Sequence, residues 1–143
     1  MQHEMIARRD AAQAALERFD GCAFKWSTND CARLAAFTLR HLGYQPTMPK
    51  AGSYASEQAA LRALLRAGYR SMEEALDAMV LPRIPPAAAI VGDIVGLPGV
   101  GGWTALFVAL GNGRVLGFKD GRCGVMQPLE MVTAWRAAPC LKR

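Results

Sequence analysis

The sequence predicts an α+β fold in which N-terminal helices pack on one antiparallel sheet. Two observations lead to this class. Residues 1–80 carry apolar side chains at helical spacing, whereas residues 87–143 carry short apolar runs separated by glycine-containing turns. Prolines mark the change between the halves, at Pro82, Pro85 and Pro86. With 143 residues, 52% hydrophobic and 20% charged, we expect a single folded domain over residues 1–143.

Four helices are predicted in the first half, each with a recognisable boundary. They cover residues 4–19, 31–42, 56–68 and 71–79. Thr28 or Asn29 is a suitable N-cap for the second helix. Ser56 has this role for the third helix, and Ser71 begins a capping box with Glu74 in the fourth.

The second half is predicted to contain strands and one closing helix. The strands cover residues 89–95, 104–110, 114–118 and 123–126. A Gly-Asn-Gly turn at 111–113 joins two of them as a hairpin, and Lys-Asp-Gly at 119–121 is a second turn. Pro128 suits the first turn of a final helix that includes Met131 and Trp135.

Cys31 is the candidate nucleophile, because it falls in the first turn of the second predicted helix. The helix dipole and the free N–H groups favour a thiolate at this position. Cysteine hydrolases place their nucleophile in the same way. The alternative interpretation is that Cys31 is a small core side chain, which is the usual role of an isolated cysteine on an inner helix face.

Three sequence features together resemble the NlpC-type cell-wall cysteine peptidases, the compact branch of the papain-like superfamily. They are Trp26 with Asn29-Asp30-Cys31, the run Gly92-Asp93-Ile94-Val95, and the turn Gly111-Asn-Gly113. The resemblance covers roughly residues 24–118. It implies a papain-like/NlpC-like fold, with Cys31 in the nucleophile position and Asp30 as its usual neighbour.

The same resemblance shows that the catalytic base is missing. The family's histidine would fall at Ala105 or within a residue of it, and its third polar residue near Gly117. The chain has only His3 and His41. His41 lies ten residues beyond Cys31, about 15 Å along a helix, and His3 is near the chain end. The sequence therefore predicts a degenerate peptidase scaffold.

A second resemblance extends over nearly the whole chain, to uncharacterised proteins encoded in tail modules of long-tailed bacteriophages. Their shared pattern is Trp-x-x-x-Asp-Cys, a Tyr-x-Ser loop (here Tyr54-Ala-Ser56), Gly-Asp-Ile-Val and a final Trp-Arg at 135–136. Several of them also lack the histidine. The resemblance implies a structural component of the tail tip, made in the bacterial cytoplasm and located in the virion, with tail or baseplate proteins as partners. The alternative is an active cysteine peptidase or amidase that cuts peptidoglycan with Cys31.

Binding residues are expected at two kinds of position. Arg62, Arg66 and Arg70 recur every four residues and predict a basic stripe that could contact an acidic protein surface. Trp26 and Trp103 are expected to act as core or interface anchors. A recognition-helix pattern does not accompany the stripe, so nucleic acid is not expected as a partner.

No cofactor or metal is expected. The run Gly96–Gly102 contains glycines but lacks the Lys-Ser/Thr of a phosphate-binding loop. The four cysteines have no local ligand spacing, although a site assembled from both halves stays open. The sequence also contains no run long enough for a membrane span and no signal-peptide pattern.

Overall fold

The computed structural model describes residues 3–99, 101 and 103–140, and within them the chain has the predicted α+β architecture. It forms four α-helices and one six-stranded antiparallel sheet, with a short 3₁₀ turn at Pro86–Ala88. The helices are α1 (Glu4–Phe19), α2 (Cys31–His41), α3 (Glu57–Arg66) and α4 (Met72–Ala78). The strands are β1 (Arg83–Ile84), β2 (Ile94–Pro98), β3 (Thr104–Gly111), β4 (Arg114–Lys119), β5 (Arg122–Met126) and β6 (Thr133–Trp135).

The sheet has the strand order β1-β6-β2-β3-β4-β5, and α1 and α2 cover one of its faces. Alternation along β3 divides its side chains between two apolar clusters. Leu106 and Val108 face the helices and pack with Phe19 and Leu34. Phe107 points the other way, into a smaller cluster on the opposite face. Most of the hydrophobic core therefore lies between the sheet and the first two helices.

The predicted caps of α3 and α4 are confirmed. Ser56 Oγ accepts a hydrogen bond from Ala59 N, and Ser71 Oγ accepts one from Glu74 N, both at 3.1 Å. Such caps satisfy backbone N–H groups that have no partner inside the helix. Helix α3 has no buried residue, so it is attached to the surface of the molecule and is not part of the core.

The predicted closing helix is wrong, because residues 133–135 form β6. This strand fills the gap between β1 and β2 and pairs with both of them. Trp135 is fully buried in the main core, and its Nε1 donates to Asp77 Oδ1 at 2.8 Å. Pairing on both edges and burial of all three residues outweigh the local helical spacing of Met131 and Trp135.

The strand predicted at 89–95 is displaced, because β2 covers Ile94–Pro98. A turn precedes it, in which Ile90 N donates to Asp93 Oδ2 at 2.9 Å and Gly92 adopts a φ of +90°. A carboxylate that binds a backbone N–H three residues earlier favours a turn over an extended chain. Part of the glycine run, residues 96–98, therefore belongs to a strand and not to a loop.

A buried ion cluster around Asp93 connects α1 to the sheet. Arg8 Nη1 donates to Asp93 Oδ1 at 2.9 Å, and both side chains are fully buried. Ala137 N donates to the same oxygen at 2.9 Å, and Arg136 Nε lies 3.1 Å from Oδ2. The buried Asp93 therefore caps the turn before β2 and forms ion pairs at the same time.

No helix in the described part of the chain is long and apolar enough to cross a membrane.

Asp93→Asn should lower the free energy of unfolding by about 3–5 kcal/mol, because it leaves the buried Arg8 guanidinium without its buried counter-charge. Urea denaturation followed by circular dichroism measures this. Glu4→Gln is the matched control: Glu4 is the other carboxylate on Arg8, at 3.1 Å, but its side chain is 52% exposed. We expect a loss of only about 0.2–1 kcal/mol there. Equal losses in the two variants would contradict a dominant role for the buried pair.

Candidate functional site

A half-enclosed cleft of about 360 Å³ lies where the start of α2, the start of β3 and the pair α3–α4 meet. We call it the Cys31 cleft. Its walls are mainly apolar, and its aromatic members are Phe24, Trp26, Tyr54, Tyr69 and Trp103. The volume is in the range of small-ligand and side-chain pockets, about 300–1,000 Å³. Cys31, Asp30 and Ala105 all line it, so the structure brings the predicted nucleophile and the vacant histidine position into one site.

Asp30 holds the start of α2 in place. Its Oδ1 accepts a hydrogen bond from Arg33 N at 2.8 Å, so Asp30 is the N-cap. The predicted cap at Thr28 or Asn29 is wrong, because residues 25–29 close on themselves as a tight turn. Asp30 Oδ2 accepts from Ser27 N at 2.8 Å. Asp30 is therefore a positioning residue for the cysteine next to it.

Tyr54 completes this arrangement. Its hydroxyl donates to Asp30 Oδ2 at 2.7 Å. Its ring packs edge-on against the Trp26 ring, with the two ring centroids 6.4 Å apart. Burial and the bond to Asp30 raise the pKa of Tyr54 well above its usual value, so the hydroxyl stays protonated and keeps donating. The Tyr-x-Ser and Trp-x-x-x-Asp-Cys segments, distant in sequence, thus meet at one carboxylate.

Cys31 is a protonated thiol at neutral pH. Burial raises the pKa of the Cys31 thiol to about 11, and the charge of Asp30 also raises it. The Leu106 backbone N–H and the N–H groups of the helix start lower the pKa, but by less. The helix start therefore does favour the thiolate, as expected. Its effect on the pKa is smaller than that of burial, because loss of solvent around the sulfur disfavours the charged form.

The two vacant positions of the resemblance lie on adjacent strands, β3 and β4. Ala105 lines the cleft and provides no titratable group. At Gly117, a Cβ atom would collide with the Phe107 ring. An aromatic ring over a glycine on the next strand fills space that has no side chain of its own. Position 117 therefore has no side chain, and the Phe107 ring occupies the space that one would need.

Neither histidine lines the cleft. His3 caps α1, with Nδ1 accepting from Met5 N at 3.1 Å. His41 is the last residue of α2, at the opposite end from Cys31, and packs against Phe37 with ring centroids 4.7 Å apart. No lysine, arginine or histidine is found among the described residues of the cleft walls.

Trp26 and Trp103 are both half-buried and both line the cleft. Trp103 Nε1 donates to Glu57 Oε1 at 3.1 Å, and Thr104 Oγ1 donates to Glu73 Oε2 at 2.6 Å. These two bonds attach α3 and α4 to the start of β3. Neither bond was predicted, since a carboxylate on a surface helix gives no local sign of a partner on a distant strand. Val100 and Gly102, which belong to the glycine run Gly96–Gly102, are outside the described residues.

The predicted basic stripe is only partly on a helix. Arg62 and Arg66 are exposed on α3, but that helix ends at Arg66, and Arg70 follows it with its N–H bonded to Glu74 Oε1 at 3.1 Å. Helix α3 directs Glu57, Ala60 and Leu64 into the cleft. Since residues two positions apart lie on opposite helix sides, Arg62 and Arg66 face away from it.

A family profile described as a domain of unknown function, DUF6950, matches residues 5–137. The chain therefore belongs to the DUF6950 family. No curated protein matches it.

Alkylation of Cys31 by iodoacetamide should be slow at pH 7 and rise about tenfold per pH unit until it levels off near pH 11, because only the thiolate reacts. The tryptic peptide 26–33 contains Cys31 alone, so mass spectrometry follows this thiol separately from the other cysteines. The half-exposed Cys22, in peptide 19–25, is the internal control. An unfolded cysteine ionises at about 8.5. The protonated Cys31 thiol thus contributes fully to the free energy of unfolding below about pH 8.5, and this contribution is lost as the pH approaches 11. Fast labelling of Cys31 with an apparent pKa below about 8.5 would contradict this account.

Proposed function

We propose that this DUF6950 member is a structural or assembly component of a bacteriophage tail tip, built on a degenerate papain-like, NlpC-like cysteine-peptidase scaffold. It acts by binding a neighbouring tail protein, with the Cys31 cleft as the contact site. The observation that carries the proposal is the state of the former catalytic centre. Cys31 is in place, but the surrounding positions are filled for packing and not for proton transfer.

The position of Cys31 supports the scaffold. The Leu106 backbone N–H lowers the pKa of the Cys31 thiol, and Cys31 and Ala105 line the same cleft, so the start of α2 lies close to the start of β3. The resemblance expects the nucleophile and its histidine at these two places. Asp30 caps the helix and Asp93 lies just before β2, as the motif pattern requires. The shared α+β order of helices and strands agrees with this assignment.

The missing proton transfer argues against hydrolysis. A cysteine peptidase needs a base to form the thiolate and an acid to protonate the leaving amine. General acid–base help contributes about 10² to 10⁴ in rate. Ala105 cannot provide it, and Phe107 occupies the space that a side chain at position 117 would need. Asp30 is occupied by three hydrogen bonds and is itself buried.

The cleft that is left is suited to binding an apolar segment. The cleft-wall side chains Tyr54, Trp103 and Thr104 direct their polar hydrogens to carboxylates of the protein itself. A partner therefore meets aromatic and aliphatic surface with few free hydrogen-bonding groups. Aromatic pockets of this kind are typical anchor points in protein interfaces. A tail location for the chain, after synthesis in the bacterial cytoplasm, follows from the same proposal.

Helix α3 offers a matched pair of variants to test binding. Leu64 is half-buried and lines the cleft, whereas its neighbour Leu65 is 52% exposed and lies outside it. Leu64→Arg should abolish co-purification with the tail proteins encoded beside this chain, because it places a charge in an apolar site. Leu65→Arg should retain it. Retention by both variants would remove the cleft from the interface, and infectious tails assembled without the chain would remove the proposed function.

The second candidate function is an active cell-wall peptidase or amidase. The observation in its favour is a thiol in a cleft, at a helix start, beside the backbone N–H of Leu106, which resembles a site for a developing oxyanion.

Purified wild-type protein and Cys31→Ser should release the same background of soluble fragments from peptidoglycan, because the protonated thiol has no base. Chromatography of the digest measures this across pH 6–9. Release by the wild type that Cys31→Ser abolishes would favour the peptidase. Such a result would also identify peptidoglycan as the ligand of the cleft.

A further inference from the structure

Cys22 and Cys123 lie opposite each other where the α1–α2 connection meets the edge strand β5. Cys123 N donates to Cys22 O, and Gly21 N donates to Cys123 O, both at 2.9 Å. Ala23 pairs with Arg122 one step further along. Gly21 has a φ of +82°, which fits a bulge with glycine in its first position. The two cysteines are therefore held in register by backbone bonds on both sides.

Their side chains enter the same apolar cluster. Cys123 is buried there, and the half-buried Cys22 packs against it from the surface. Residues opposite each other in an antiparallel pair, as Cys22 and Cys123 are beside the Ala23–Arg122 bridge, have Cα atoms about 4.5–5.5 Å apart. This separation is within the range that a disulfide spans, about 4.4–6.8 Å. Both residues are free thiols in the structure.

The surroundings of Cys22 suit the approach of glutathione disulfide, which carries carboxylate groups. Arg18 Nη1 lies 4.0 Å from Cys22 Sγ, and Arg122 Nη1 donates to Gly21 O at 2.6 Å. One guanidinium group thus lies beside the more exposed thiol and a second lies on the carbonyl of the residue before it, and they would attract the carboxylates of glutathione disulfide. Cys123 is buried, which shields its sulfur and raises its pKa to about 12, so the more exposed Cys22 is the thiol that glutathione disulfide reaches first.

We propose that Cys22 and Cys123 form a cross-strand disulfide when the protein meets glutathione disulfide. The Cys22 sulfur attacks one sulfur of glutathione disulfide and breaks its S–S bond, and the first glutathione leaves with the Cys22 proton. The Cys123 sulfur then attacks the Cys22 sulfur of the mixed disulfide, and the second glutathione leaves with the Cys123 proton. Two protein thiols are oxidised, and one glutathione disulfide is reduced to two glutathione molecules.

The bond would fix one wall of the Cys31 cleft. The connection that contains Cys22 continues through Phe24 and Trp26, which line the cleft, to the start of α2. Linking it to β5 closes a loop of about 100 residues, a length for which a disulfide strongly restricts the unfolded chain. The inference does not depend on the proposed function, since it uses only the pairing of two thiols outside the former catalytic centre.

Peptide mapping of the full-length protein tests the proposal directly. Each cysteine is in a different tryptic peptide: 19–25, 26–33, 123–136 and 137–142. The protein is incubated with glutathione disulfide, blocked with iodoacetamide and digested without reductant. We expect a linked product of peptides 19–25 and 123–136, and a melting temperature about 5–15 °C higher than under reduction. Cys22→Ser should abolish both effects, whereas Cys140→Ser, at an exposed cysteine, should keep both.

Three outcomes would overturn the inference. They are a stable glutathione adduct on Cys22 without the linked peptide, links that involve peptide 26–33 or 137–142 instead, and no reaction of the folded protein. Melting curves of Cys22→Ser under reducing conditions show whether that variant folds like the wild type. Cys123→Ala provides the same readout from the other partner, so a folding defect in one variant does not decide the result.

Discussion

The buried ion cluster around Asp93 is the interaction on which the rest of the structure depends. Two charged groups with no exposure to water are costly unless each is matched. Here Asp93 accepts bonds from Arg8, Ala137 N and Ile90 N, and Arg136 provides a second positive charge. The carboxylate thus fixes α1, the turn before β2 and the residues after β6 at one point. Since β2 pairs with β3, the same point also sets where β3 meets the start of α2.

The Cys31 cleft shows how opposing effects decide the state of one thiol. The helix start and the Leu106 N–H stabilise a thiolate, whereas burial and the nearby Asp30 charge favour the thiol. An imidazolium at position 105 would add a strong favourable charge and shift the balance, which is its role in active enzymes. Without it, burial decides the result. Cys31 then behaves as a small apolar side chain that packs against the main core.

Local signals predicted the elements that depend on local bonds. The caps at Ser56 and Ser71 and the glycine turn at 111–113 were predicted correctly, because their partners are a few residues away. The closing helix was wrong because β6 is determined by two strands from elsewhere in the chain. No short-range pattern carries that information. The same limit applies to the site: Cys31, Asp30 and the vacant Ala105 could be placed from motif order alone, whereas nothing near Arg8 in sequence indicates that Asp93, 85 residues away, is its partner.

Phe107 makes the absence of a side chain at position 117 a consequence of packing, because its ring occupies the space there. In sequence Phe107 looks like an ordinary strand residue, but the pairing register of β3 and β4 places its ring over Gly117. A histidine at position 105 would add a base to the cleft, but a polar side chain at position 117 could not enter while the ring is there. Phe107 itself is buried in the second apolar cluster with Val95 and Val115. Replacing it by a smaller residue would leave a cavity, at about 3–5 kcal/mol for a buried phenylalanine. The Phe107 ring and a polar side chain at position 117 would therefore need the same space, and the core of this protein is packed with the ring.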